Sequence, residues 1–170
     1  FVVVRVNLFN VRTLEQFMIR LGSAVIRPMY STAEEYRSVV AKYLEGTHFI
    51  FDHQRFAASD EVVSLNWSAD MTDLEAMFRL PFRMAEDRGV PYYVIIEEFQ
   101  NLMMDKDFEK AFKVMEKVLS ERNRSAAFIF TGSQVNAMKY IFAERKYFYR
   151  LVEHLPLQKV DDAEITEHIV

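Results

Sequence analysis

The chain of 170 residues has no cysteine, one tryptophan, four glycines and four prolines. Without cysteine there is no disulfide, no thiolate nucleophile and no cysteine-based zinc site. That fits a reducing compartment, and a cytoplasmic protein is expected. Scarce glycine and proline argue against a loop-rich sandwich or barrel and for long regular elements. No apolar run approaches the length of a membrane span, and no secretory leader is visible. The net charge of −4 lacks the basic surplus of a nucleic-acid-coating domain, so nucleic acid is expected only through other domains.

A phosphate-binding loop is also missing. Its pattern, G-x-x-x-x-G-K-[ST], uses glycines to let backbone N–H groups close round phosphates and a lysine to neutralise them. The glycines here are Gly22, Gly46, Gly89 and Gly132. No two stand five apart and none precedes a lysine, so residues 1–170 cannot form that loop.

Hydrophobic residues make up 51% and charged residues 27% of the chain, with 15 Phe and 8 Tyr. That is a globular composition with an aromatic core, of a size for one domain. Residues 1–9 (FVVVRVNLF) read as a strand. Because this apolar run starts at Phe1, the chain is expected to begin inside a longer protein. Thr13 and Gln16 give a helix-opening pattern, followed by Leu14, Phe17, Met18, Leu21 and Val25 at helical spacing as far as Arg27-Pro28. Ser31 or Thr32 caps a second helix that Gly46 ends. Residues 47–67 are hard to read, with short strands expected near 48–51 and 61–65. A third helix is expected over 70–87, with Thr72 and Glu75 as its capping box and Pro81 inside it.

The strongest strand is Tyr92-Tyr93-Val94-Ile95-Ile96, an unbroken apolar run leading into Glu97-Glu98. A helix over 107–122 follows, then Ala126-Ala127-Phe128-Ile129-Phe130, which leads into Thr131-Gly132-Ser133. A helix near 134–145, a strand near 151–155 and a helix beginning at Asp161 or Asp162 complete the pattern. Strands alternating with helices imply a parallel sheet. Ligands of such sheets bind at the C-terminal strand ends, which singles out Glu97-Glu98 and Thr131-Gly132-Ser133. Adjacent strand residues point to opposite sides, so one carboxylate can face a metal-bound phosphate while the other faces an attacking water. The plainer reading is a pair of solvated acids opening a loop.

The order VIIEEFQN, helix, AAFIFTGSQ, helix, then Tyr147-Phe148-Tyr149-Arg150 and Leu155-Pro156-Leu157 resembles the STAND-like and archaeal-type ATPases of the AAA+ superfamily. The resemblance covers nearly the whole chain and is best over 91–157. It implies an α/β fold, a three-layer parallel sheet with flanking helices of P-loop NTPase type, missing the P-loop strand in this chain. That strand would lie mid-sheet, so its absence would leave the strand at 126–130 unpaired on one side and favour self-association. It also implies a partial ATPase core over 1–157 and the start of a helical lid over 158–170.

The family's roles, carried onto matching positions, give Glu97 as a Mg²⁺ ligand acting through water and Glu98 as the residue that activates the attacking water. Ser133 falls at the sensor position near the γ-phosphate, and Arg150 at a phosphate-contacting arginine. Two departures stand out. Glu97 occupies the position of the family's aspartate, and Tyr149 occupies that of a glycine. The implied function is an ATP-binding, ATP-hydrolysing switch domain using Mg²⁺, with partner domains. The alternative is a non-catalytic regulatory or interaction module of the same fold.

Other signals carry less. His48, His53, His154 and His168 match no metal-ligand spacing. Lys139, Arg145, Lys146 and Arg150 lie among aromatic residues and read as a solvated basic face.

Overall fold

A computed structural model describes residues 1–59 and 61–155. The elements in order are β1 (Val2–Asn7), α1 (Leu14–Ile26), α2 (Ala33–Tyr43), β2 (Phe49–Ile50), α3 (His53–Ser59), β3 (Ser64–Leu65), α4 (Met71–Arg88), β4 (Tyr92–Glu97), α5 (Phe108–Ser120), β5 (Ala126–Phe130) and α6 (Val135–Lys139). Short 3₁₀ turns follow α1 and β4, and a π-type turn, Tyr140–Glu144, continues α6.

The main sheet has three strands in the order β1-β4-β5, all parallel. The expected α/β class, a parallel sheet with flanking helices, is what the structure shows. The ladders align Val4, Val94 and Phe128 in one row and Val6, Ile96 and Phe130 in the next. Those rows face the helices. Phe78 of α4 stacks on Phe128 with centroids 4.3 Å apart. Phe99, just past β4, lies 4.4 Å from Phe130 and 5.3 Å from Phe112 of α5. Phe148 completes that cluster, fully buried against Phe99, Phe112, Phe130 and Phe142.

The alternate rows point the other way. Val3, Tyr93 and Ile129 are 49%, 41% and 46% exposed. The run at 92–96 therefore has one buried face and one open face, where its unbroken apolar composition suggested cover on both. Among the described residues both outer edges, β1 and β5, also lack a neighbour in the sheet.

Local chemistry explains most element ends. Thr13 accepts from the Gln16 N–H at the start of α1, as expected. Thr32 and Glu35 form a full capping box on α2. At α4 the box is Asp70 with Asp73, two residues earlier than the Thr72–Glu75 pair expected. An aspartate ahead of the helix reaches two N–H groups at once, Thr72 and Asp73, which outweighs a threonine already inside it. α4 runs through Pro81 unbroken, and Gly89 closes it with a left-handed backbone, φ 63°. The two short strands expected in 47–67 form a small antiparallel hairpin, but α3 between them was not anticipated.

One expectation fails outright. Residues 151–155 form no strand; Leu151 closes a turn by donating its N–H to Phe148 O at 2.9 Å. Left-handed backbone at Lys146, Phe148 and Arg150 keeps the preceding chain from extending. Among the described residues no strand lies beside β5 on that side to offer a ladder. The helix expected from Asp161 or Asp162, and the lid over 158–170, lie outside the described residues.

Among the described residues no helix is long and apolar enough to cross a membrane.

Candidate functional site

β4 and β5 end side by side, and their ladder continues past both ends. Thr131 donates its N–H to Ile96 O at 2.9 Å, and Phe99 donates its N–H to Thr131 O at 3.0 Å. Between these two bonds the chain turns through Glu98, which has left-handed backbone, φ 56° and ψ 41°. A non-glycine residue there is uncommon and is held by its surroundings. Here the holding comes from Phe99, locked in the aromatic cluster, and from the two rim bonds on either side.

That turn sends the two glutamates apart. Glu97 is still on the strand and faces β1, where Asn7 Nδ2 donates to its Oε2 at 3.0 Å and the Arg5 guanidinium lies 3.7 Å from its Oε1. Glu98 faces β5, where Ser133 Oγ donates to its Oε2 at 2.7 Å. Gln100 Nε2 donates to the same oxygen, also at 2.7 Å. These bonds, Ser133 first and Gln100 second, hold the Glu98 carboxyl below the usual carboxylate range. It is thus an anion at neutral pH, with both side-chain bonds on Oε2.

The structure brings Glu98 and Ser133 together, as the strand-end reading required, and sets Glu97 beside them with its carboxylate turned the other way. Arg150 stands apart. It has left-handed backbone, φ 61°, its guanidinium lies over the Tyr149 ring at 5.2 Å, and it forms no hydrogen bond or ion pair to Glu98 or Ser133. In the same loop, Phe148 is pinned through its N–H to Glu116 Oε1 at 2.6 Å, and Tyr147 donates to Glu109 at 3.1 Å.

Three polar residues at the rim were not singled out from sequence. Asn7 closes β1 beside Glu97. Gln100, buried on the turn after β4, holds Glu98. Asn101, also buried, donates to Leu8 O at 2.9 Å and ties that turn to the end of β1. The string FQN was visible, but only the strand register and the turn geometry show where its amides point.

The donor set suits a hard cation, since carboxylate and hydroxyl oxygens are what Mg²⁺ takes. Glu97 would supply such an oxygen. The Glu97 side chain is partly exposed, so water can stand between its carboxylate and a metal. A separate trio, His48, Asp70 and Asp73, lies close together at the start of α4. There Asp73 accepts from the His48 N–H, the His48 ring and the Asp70 N–H, so the trio is explained as a helix cap.

A three-stranded parallel sheet with helices packed on it is consistent with a P-loop NTPase-like fold. The solved structure of the Walker-type ATPase Paby2304 of Pyrococcus abyssi is similar, with a TM-score of 0.50 and 17% identity. The match covers 91% of this chain and 40% of that one, so this chain spans well under half of that protein's length. No protein-family model matches the sequence, and no curated protein matches it.

Proposed function

We propose that this chain is the acid-bearing half of a Mg²⁺–ATP-binding and ATP-hydrolysing switch domain, with β4 in the role of a Walker B strand and β5 in that of a sensor strand. The observation that carries this reading is the Ser133–Glu98 bond at the C-terminal ends of two parallel strands, where ligands of such sheets bind. The resemblance to AAA+ and STAND-like ATPases, and the likeness in fold to a protein titled a Walker-type ATPase, support it.

Each residue has a defined task. Glu98, held ionised, accepts a hydrogen bond from an attacking water through Oε1 and orients it. Ser133 leaves Glu98 to donate to a phosphate oxygen as charge develops there. Glu97 holds metal-bound water, with Asn7 and Arg5 fixing its rotamer. Arg150 reaches phosphate only if the 145–150 loop rearranges. Mg²⁺, when bound, neutralises charge on the β- and γ-phosphates. Residues 1–170 carry no phosphate-binding loop, so this reading requires one from outside them.

A second reading has an observation of its own. Ser133 and Gln100 already occupy one oxygen of Glu98, so that carboxylate is engaged within the protein as it stands. A regulatory or interaction module of this fold would keep that closed arrangement.

Mg²⁺–ATP binding and turnover by the full-length protein, compared with Glu98→Gln, separate the two. The ATPase reading expects retained binding and a loss of turnover of about 10²-fold or more. Turnover unchanged in the variant removes Glu98 from the reaction, and failure of the parent protein to bind nucleotide favours the module.

A further inference from the structure

Gln100 is 3% exposed, on the 3₁₀ turn that follows Glu98. Its Nε2 donates to Glu98 at 2.7 Å, while its Oε1 is buried with no hydrogen-bond partner among the described residues. An amide acceptor left unpaired in a buried slot destabilises the fold, and a methionine of the same length would fill that slot without the penalty. Packing therefore does not account for an amide here, whereas the bond to Glu98 does. The neighbouring segment is shaped to the same end. A Cβ on Gly132 would sit 2.3 Å from Gln100 Oε1 and 2.6 Å from Met138 Sδ, so only glycine lets the 131–133 segment close over the amide.

We infer that Gln100 is a positioning residue: it fixes the Glu98 carboxylate in the rotamer that points Oε1 at substrate water, and does so whether or not Ser133 is engaged. The inference rests on the hydrolytic reading of Glu98. When the Ser133 hydroxyl turns to a phosphate, Glu98 loses that side-chain donor. Gln100 is anchored by burial and by the contact with Gly132, and it keeps the remaining bond. The Glu98 carboxylate bonds to no charged side chain among the described residues. The nearest charged neighbour in sequence, Glu97, turns to Asn7 and Arg5. A change in the Glu98 carboxyl signal on altering Gln100 is therefore attributable to that amide.

The test is the carboxyl ¹³C signal of Glu98 at one fixed neutral pH in the full-length protein, assigned by its absence in Glu98→Gln, together with kcat and KM for ATP. Two variants are compared with the parent: Gln100→Met, which keeps the shape but has no N–H to donate, and Gln100→Glu, which replaces the donor with a carboxyl group. Both should displace the Glu98 signal, with kcat down by about tenfold and the KM for ATP unchanged. A Glu98 signal equal to the parent's in both variants overturns the inference. A displaced signal with unaltered turnover leaves the hold of Gln100 on Glu98 standing and discards the hydrolytic role of Glu98 instead.

Discussion

Ser133 Oγ donates to Glu98 Oε2 at 2.7 Å, across 35 positions of sequence. The bond exists because β4 and β5 are parallel neighbours in register, so the residues just past their ends arrive at one rim. It also needs the left-handed turn at Glu98, which swings the carboxylate toward β5 while Glu97 stays with β1. Helix α5, covering the same sheet face, makes the crossover between the two strands that parallel pairing requires.

Gly132 is where that rim is least tolerant of change. Gly132→Ala places a methyl group in the space of Gln100 Oε1 and Met138 Sδ. Met138 can shift, because its thioether end is flexible and only half-buried. Gln100, buried, cannot move without releasing Glu98. A loss of about 1–3 kcal/mol in urea-unfolding stability is expected, and the Glu98 carboxyl signal should move. Gly132→Ala with parental stability and an unchanged Glu98 signal would contradict the tight fit.

The cap of α4 gives a pH dependence of stability. The bond to Asp73 raises the pKa of His48. Burial pushes Asp73 up, but the bonds from His48 and Asp70 outweigh it and hold its carboxyl below the usual range. The His48 contribution is complete below about pH 6.5 and is lost as the pH rises through the higher folded-state value. The Asp73 contribution is present above about pH 4 and is lost on acidification. The pair therefore helps most between those limits, and only modestly, because His48 is partly exposed. Melting temperatures of the parent should fall slightly as the pH rises from about 6 to about 8, and the slope should flatten in His48→Gln. An identical slope in the variant would assign the effect elsewhere.

The open sheet face should make the isolated chain associate. Val3, Tyr93 and Ile129 expose apolar surface beside an unpaired β5 edge, the kind of patch and edge that other chains pair with. Tyr93→Ser with Ile129→Lys should lower the sedimentation-derived mass toward one chain, with stability changed by less than about 1 kcal/mol because both positions are solvent-facing. A parental chain already monomeric at high concentration would show that the face needs no cover.

Much of this arrangement could be read from residue order. The runs at 92–96 and 126–130 with a helix between them specify adjacent parallel strands, and the parallel rule places Glu97-Glu98 and Ser133 at one end. Thr13 and Thr32 announced their helices through side-chain chemistry local to each. What stayed hidden depends on contacts distant in sequence. Asn7 acts on Glu97 from 90 residues away, and nothing around Asn7 signals that. The direction of Gln100 follows from the backbone of Glu98, which no propensity encodes. Residues 151–155 have a strand's composition but, among the described residues, no strand to pair with, and composition cannot report a missing neighbour. The reading of 92–96 as covered on both faces erred for the same reason.

Paramagnetic mapping tests the central claim most directly. Mn²⁺ replaces Mg²⁺ in complexes with nucleotide, and its unpaired electrons broaden nearby resonances. With Mn²⁺ and a non-hydrolysable ATP analogue added to the full-length protein, the amide signals of Glu97, Glu98 and Ser133 should broaden first. Those of Tyr92 and Ala126, paired at the opposite end of β4 and β5, should stay sharp. Broadening centred on Tyr92 and Ala126, or uniform across the sheet, would contradict the account.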